Sequence, residues 1–251
     1  MIDITPIENY IHDGIDVVIK SCKDPCLQLT IDSLFETCDY PKKLNVIVIA
    51  QCQDIKDDRC NITILEENKG LSYCDKIAYK KLKGDYIFRL PPHSILTKGW
   101  DTYIRSKKLD RKDILVCPFM KYNKTKDEYD KNALFIQPQK ENTHLMYGVH
   151  WKPEFEGKKT AALVGVVIAK YHWTLDVRLE DNIFVAGDEI DLSVKSYEKG
   201  YTAKIGKPIL YHIEHTTRPK WDYKDHIRTL IQPVWKDFEG FKKYVEEVRI
   251  W

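Results

Sequence analysis

The chain has 251 residues, of which 43% are hydrophobic and 12% aromatic; this is enough apolar material for one large folded domain and excludes a disordered chain. Its 40 basic and 38 acidic residues leave a net charge of +2, so the total charge does not indicate a polyanionic partner. No apolar run approaches the ~18 residues of a membrane span, and acids stand at the N-terminus where a secretory signal has bases. These features predict a soluble, cytoplasmic protein without a membrane partner.

The first 120 residues alternate between short apolar runs and segments with helical periodicity. The predicted strands are residues 15–21, 44–50, 61–65, 85–90 and 113–119. The predicted helices are about residues 27–38, 70–82 and 97–108. Near-continuous apolar strands separated by helices are typical of a mostly parallel central sheet with flanking helices, an α/β fold. The glycine motifs of a dinucleotide site and of a P-loop are absent from the sequence.

The second half of the chain begins with a polar stretch, residues 120–160, which we predict to be a long irregular segment. Residues 161–169 and 201–211 are predicted strands, and residues 188–199 a predicted helix. Apolar residues then recur at steps of four and three, which predicts an amphipathic C-terminal helix: Val234, Phe238, Phe241, Val245 and Val248. We therefore predict a main domain at residues 1–217 and a helical extension at residues 218–251.

Polar segments follow several predicted strands, at the edge where open α/β sheets form their binding sites. These segments are SCKDP (21–25), QCQD (51–54), PPH (91–93), GWD (99–101), GDEI (187–190) and the final His212. Because the carboxyl ends of parallel strands meet at one edge of a sheet, the sequence predicts a functional site there.

In this order and at these spacings, the segments resemble those of GT-A-fold glycosyltransferases. The similarity is in particular to the cytoplasmic GlcNAc-transferases that modify hydroxyproline, and to their bacterial and viral relatives. That family carries an S-Y-R-D-P-like segment and an Asp-Ser-His motif before G-W-D, where this chain has residues 21–25, 91–93 and 99–101. It carries G-E-E-I-x-L followed by G-Y, where this chain has residues 187–192 and 200–201, and a His after the last strand. The resemblance spans about residues 15–217 and implies a GT-A-like nucleotide-sugar-binding fold.

The resemblance also implies an activity: transfer of a sugar from a nucleotide-diphosphate donor, a UDP-sugar, to an acceptor hydroxyl on a protein, a glycan or a modified DNA base. Asp188 and Glu189 are the expected catalytic carboxylates, which would stabilise the sugar cation or take the acceptor proton. Both could instead be ordinary acids at a helix N-terminus. The expected donor-binding residues are Ser21, Lys23, Asp24, Asp54, Arg89 and Asp101. Helix capping or a turn is the alternative role for the aspartates among them.

In the family, an Asp-x-His motif binds a divalent metal, Mn²⁺ or Mg²⁺, which neutralises the diphosphate. Here Pro91 stands in the position of that Asp and offers no side-chain ligand. His93 and His212 are then the expected metal ligands. The alternative is a site without metal, in which Lys23 and Arg89 neutralise the diphosphate.

Basic residues are concentrated in residues 102–126, which contain eight bases and two acids. A solvated helix face is the default interpretation. The alternative is a phosphate-binding patch on the acceptor side, formed by Arg105, Lys108, Arg111 and Lys112, which would suit a DNA acceptor. Two further hypotheses remain: a catalytically inactive binding module of GT-A type, and a nucleic-acid-binding protein on the same scaffold.

Overall fold

The computed structural model describes residues 10–123, 126–130, 132–138, 146–164, 166–179, 188–214 and 236–249. The strands of the first half are β1 (Ile11–Cys22), β2 (Leu44–Gln51), β3 (Cys60–Leu65), β4 (Gly84–Leu90), β5 (Ser94–Leu96) and β6 (Asp113–Cys117). The helices between them are α1 (Leu27–Glu36), α2 (Leu71–Ala78) and α3 (Trp100–Ser106). Each predicted strand and helix of this half is therefore present, with ends that differ by a few residues.

The second half contains more strands than the sequence predicts. They are β7 (Met120–Asn123), β8 (Glu128–Tyr129), β9 (Leu134–Pro138), β10 (Met146–His150), β11 (Lys159–Thr160), β12 (Val166–Lys170), β13 (Thr202–Ile205) and β14 (Leu210–Ile213). The helices are α4 (His172–Asp176), α5 (Asp188–Glu198) and α6 (Phe238–Val248). Short 3-10 turns lie at Pro41–Lys43, Tyr79–Lys81 and Pro153–Phe155.

Two predictions for this half are wrong. The stretch at residues 120–160 is not irregular, because short strand pairs run through its described part. The predicted strand at residues 201–211 is two strands in different sheets, β13 and β14. Gly206 and Pro208 lie between them, and a proline cannot donate a ladder hydrogen bond, so the strand breaks there.

In the described part of the chain, the main sheet has eight strands in the order β11-β13-β6-β12-β4-β1-β2-β3. Strands β1 to β4 are mutually parallel, whereas β12 runs antiparallel to both β4 and β6. The sheet is thus mixed rather than uniformly parallel. The order reverses at β1, since β2 and β3 lie on one side of it and β4 on the other. In open α/β sheets such a switch point opens a crevice at the carboxyl ends of the strands.

Both faces of the sheet are covered, because successive side chains of a strand point to opposite faces. Ile15, Val17 and Ile19 of β1 pack with residues of α1 and α3. Val18 belongs to the other face, where residues of α2 and α5 pack. Lys20 follows Val18 at the strand period of two, so it lies on this second face.

Two smaller units complete the site region. Strands β5-β14-β7-β8 form a second sheet, in which His212 of β14 pairs with Ser94 of β5. Helix α6 buries Phe241 and Val245 against Ile190 and Val194 of α5, as the predicted amphipathic pattern requires. Val234 and the predicted domain boundary at residues 217–218 lie outside the described residues. No helix in the described ranges has both the length and the apolar character of a membrane span.

Candidate functional site

A cavity of about 440 Å³ opens at the switch point, beyond the carboxyl ends of β1 and β4. Apolar residues form much of its wall, among them Val18, Leu71 and Leu163. The ionisable side chains that line it are Lys20, Arg89, His93, Asp188, Glu189 and His212. Residues that are far apart in the chain thus meet at one edge of the sheet.

Three residues of the cavity floor, Lys20, Arg89 and Asp188, belong to a chain of ion pairs that also includes the buried Asp75 behind them. Lys20 Nζ lies 2.9 Å from Asp75 Oδ1, and Arg89 Nη2 lies 3.4 Å from Asp75 Oδ2. The same Arg89 nitrogen donates to Asp188 Oδ2 at 3.1 Å. Asp75 is only 3% exposed and Arg89 8%, so water screens these charges poorly. The two cations are matched by the two carboxylates, and the floor carries little net charge.

Strand register brings the two cations to one face of the sheet. Strands β1 and β4 are parallel neighbours, with Val18 opposite Arg89. Arg89 follows the buried Ile87 of β4 at a step of two, and both lie toward α2 and α5. Asp75 reaches them from the second turn of α2, and Asp188 is the first residue of α5.

Asp188 and Glu189 differ in protonation although they are adjacent. Burial favours a raised pKa for Asp188, but the charges of Arg89 and Lys20 outweigh it, so the pKa of Asp188 is lowered. The charge of Asp188, followed by burial and the hydrogen bond between the two side chains, raises the pKa of Glu189 to about 8. At neutral pH the pair therefore holds one carboxylate and one carboxylic acid.

The opposite wall is built from aromatic side chains. His93 Nδ1 lies 2.8 Å from Asp24 Oδ2, in the loop that follows β4. The rings of His93 and His212 meet edge to face with centroids 4.5 Å apart, and the Phe119 ring lies 5.2 Å from that of His212. The carboxylate of Asp24 accepts the Nδ1–H of His93 and so orients its imidazole, and the rings of His93 and His212 lie side by side in the cavity lining.

The residues at the expected metal position do not fit a metal held by the protein. Pro91 offers no ligand, and His93 already shares its Nδ1 with Asp24. Among the described residues, the only group of three His, Cys, Asp or Glu ligand atoms within 4.8 Å of one another is His12, Asp13 and Asp85. That group lies near the amino ends of β1 and β4, at the edge opposite the cavity. Two imidazoles alone fall short of the ligand sets usual for divalent cations.

In comparisons with known proteins, no family model matches the chain and no curated protein matches its sequence.

Six of the predicted site residues come together at this edge of the sheet. Asp188, Glu189, Arg89, His93 and His212 line the cavity, and Asp24 lies behind His93. Arg89 is engaged with carboxylates rather than presented alone to a phosphate. Asp24 also accepts the N–H of Cys26, two residues further on, in the turn before α1, so it has the turn role that was one alternative for the aspartates.

Other predicted donor-binding residues lie elsewhere. Ser21 is buried, and its hydroxyl donates to Gln53 Oε1 at 2.9 Å. Lys23 is exposed in a left-handed turn with φ of 52°, and Asp54 is also exposed. None of these three lines the cavity.

Asp101 is fully buried near the amino end of the sheet, away from the cavity. Its carboxylate accepts the backbone N–H groups of Asp39 and Tyr40 and pairs with Arg105. These contacts fix the loop that leads into β2. The structure thus gives Asp101 a structural role rather than contact with the cavity.

The basic patch lies at the amino edge of the sheet, not beside the cavity. Helix α3 leads into the amino end of β6, so the segment between them must lie at that edge. Arg105 donates to the backbone carbonyl of Asp13 in β1, and Lys112 pairs with Asp176. Lys108 and Arg111 are exposed there. The expectation that these four residues border the acceptor side is therefore not supported by their position.

Two residues of the site were not predicted: Lys20 and Asp75. A signal for Lys20 was available, because a lysine inside an apolar strand must find a counter-charge when it is buried. Asp75 lies between Cys74 and Ala78, which are both buried, so its position on the inner side of α2 was also readable from helical spacing.

Proposed function

We propose that the chain is a glycosyltransferase that uses a nucleotide-diphosphate sugar, a UDP-sugar in the first instance. One observation carries the proposal: two adjacent carboxyl groups, Asp188 and Glu189, line a cavity at the strand switch point, where Arg89 pairs with Asp188. Pairs of carboxyl groups whose environments separate their pKa values are typical of acid–base chemistry. The mixed eight-stranded sheet with helices on both faces is compatible with the proposed GT-A-like architecture.

In this reaction the bond between the anomeric carbon and the diphosphate oxygen breaks, and the acceptor oxygen bonds to that carbon. The acceptor proton passes to a carboxylate, and the ionised Asp188 is the proposed recipient. Its negative charge also stabilises the positive charge that develops on the sugar carbon. Glu189, which is protonated at neutral pH, donates a hydrogen bond within the pair and supports that ionised state.

The diphosphate requires hydrogen-bond donors, and the floor of the cavity supplies few. Lys20 and Arg89 are already matched by Asp75 and Asp188, so their attraction for a further anion is reduced. The ring N–H of His212, which packs against His93 on the aromatic wall, is the proposed donor, since His93 gives its Nδ1–H to Asp24. The wall they share with Phe119 also offers aromatic faces against which a flat group can pack.

The proposed acceptor is a hydroxyl of a protein or a glycan. A DNA acceptor would need a basic surface beside the cavity, but the basic patch lies at the opposite edge of the sheet. A DNA strand bound there would not be guided to Asp188. No step of the proposed reaction is assigned to a metal, since the residues at the expected position do not fit one.

The test measures turnover of a panel of nucleotide sugars with and without Mn²⁺. Turnover is monitored as release of the nucleoside diphosphate. Calorimetry measures binding in parallel. We expect turnover by the native chain, a loss of at least a hundredfold for Asp188→Asn, and no change for the exposed Asp58→Asn. Binding of a nucleotide sugar without any turnover would instead support the inactive binding module. If no nucleotide sugar binds at all, the proposal is wrong.

A further inference from the structure

Asp75 is a buried charge that the proposed reaction does not use directly. It lies in α2, is 3% exposed, and does not line the cavity. Its two carboxylate oxygens contact different cations, Lys20 on one side and Arg89 on the other. It is the link that joins the two cations to each other.

Helix packing alone does not require a carboxylate at this position. Cys74 and Ala78, its neighbours on α2, are buried in the apolar cluster of that face. Burying a charged trio costs desolvation that an apolar residue would avoid. The specific effect of the carboxylate is to keep two cations at fixed positions beneath the cavity.

The groups that face the carboxyl pair come from every packed element around it. Lys20 comes from β1, Arg89 from β4, Asp75 and Tyr79 from α2 and the turn after it. His93 and His212 occupy the opposite wall. Burial raises the pKa of Tyr79, so its hydroxyl stays neutral at physiological pH. The cations that act on the pair are thus Arg89 and Lys20, and Asp75 is the carboxylate in contact with both of them.

We propose that Asp75 is a positioning residue for the Asp188–Glu189 pair. Its two oxygens hold Lys20 and Arg89 so that Arg89 reaches Asp188, and its negative charge offsets part of the positive charge beside the pair. The value of this arrangement for catalysis rests on the proposed function, whereas the electrostatic link does not.

The electrostatic link between Asp75 and the carboxyl pair predicts the direction in which the pKa of Glu189 shifts in each variant. Asp75→Asn keeps the shape but removes a negative charge, so two cations are left beneath the pair and the ionised form of Glu189 is favoured. The pKa of Glu189 then falls. Lys20→Gln removes a cation, so the pKa values of the pair rise. A merely structural role for these residues would not give shifts of opposite sign.

The experiment is a pH titration of the side-chain carboxyl ¹³C resonances of the full chain, with Glu189→Gln assigning the Glu189 signal. We expect Asp75→Asn to weaken proton binding at Glu189 at least tenfold, a fall of about one pH unit. Asp75→Glu, which keeps the charge, should return the midpoint toward the native one. Asp57→Asn is the control, because Asp57 also pairs with an arginine, Arg59, but lies outside the cavity. The Glu189 midpoint in Asp57→Asn should equal that in the native chain.

An unchanged midpoint in Asp75→Asn, or a shift of the same size in the control, overturns the proposal. If Asp75→Asn does not fold, Lys20→Gln decides, and a midpoint that fails to rise overturns it equally. The titration needs no substrate. Suppose that Asp75→Asn shifts the Glu189 midpoint but the native chain turns over no nucleotide sugar: the proposed function is then rejected and the electrostatic link is kept. Turnover by the native chain with an unshifted midpoint in Asp75→Asn would keep the proposed function and reject the link.

Discussion

Asp24 and His93 are 69 residues apart in the chain, and their side chains meet at 2.8 Å. The other oxygen of Asp24 accepts the N–H of Cys26, where α1 begins. One carboxylate thus fixes the start of a helix and the loop after β4 together. Since His93 packs against His212, the same contact braces the second sheet against the cavity.

Replacing Asp24 should loosen the aromatic wall. Asp24→Ala removes both contacts of the carboxylate, and we expect a stability loss of about 1–3 kcal/mol because the partners stay partly buried. Binding of UDP should weaken about tenfold as His93 loses its orientation. Thermal unfolding and calorimetry measure the two effects. The exposed Asp58→Ala is the control, and native UDP affinity in Asp24→Ala would contradict the role given to the wall.

The arginine on the floor should contribute more to stability. Arg89→Met leaves Asp75 and Asp188 buried without their shared partner, and breaking such a pair costs about 3–5 kcal/mol. Urea unfolding measures the loss. The double variant Arg89→Met/Asp188→Asn should recover part of it, because it removes the charge of Asp188, which loses its cation in the single variant, whereas Asp75 keeps Lys20. Equal stability of the single and double variants would show that Asp188 does not depend on Arg89.

Much of the fold is readable from the sequence, because near-continuous apolar runs such as residues 44–50 form strands buried on both faces. The break at Gly206 and Pro208 was readable too, but the apolar residues on either side obscured it. The direction of β12 was not predictable, because an apolar run has the same period in either direction.

The candidate site divides in a similar way. The edge on which Arg89, His93 and Asp188 meet follows from the rule for parallel strands. That Asp75 would pair with Lys20 does not follow, because it depends on the angle at which α2 crosses the sheet. The position of Asp101 away from the cavity was not predictable either, since a sequence motif gives the order of residues but not the edge of the sheet that a helix reaches.

Protonation of Glu189 should make stability depend on pH. Its pKa in the folded chain, about 8, lies above its ordinary value of 4.5, so the folded state holds the proton more tightly. This contribution is complete below pH 4.5 and is lost as the pH rises toward 8. Glu189→Gln cannot ionise. We therefore expect the free energy of unfolding of the native chain to fall, relative to the variant, between pH 5 and pH 8.

Urea unfolding of both chains at several pH values measures this difference. Glu239→Gln, a substitution at an exposed residue of α6, is a control that should follow the native chain. Parallel pH curves for the native chain and Glu189→Gln would show that Glu189 is ionised in the folded state at neutral pH.

The contact between α6 and α5 should support the main domain. Phe241 is fully buried against residues of α5, and replacing a buried Phe by Ala typically costs about 3–5 kcal/mol. We expect Phe241→Ala to lower the unfolding midpoint in urea, with the exposed Lys243→Ala as the control. A native midpoint in Phe241→Ala would show that α6 unfolds independently of the main domain.

The ion-pair chain has a consequence for the order in which contacts form. Asp75 and Arg89 are separated by 14 residues, whereas Arg89 and Asp188 are separated by 99. Loop closure costs more entropy as the loop lengthens, so we expect Arg89 to meet Asp75 first. The Arg89 guanidinium is then already paired with Asp75 when the strands around it become buried. Asp188, which is 99 residues away in the chain, then contacts an Arg89 that is already paired, so we expect the cavity to be completed late in folding.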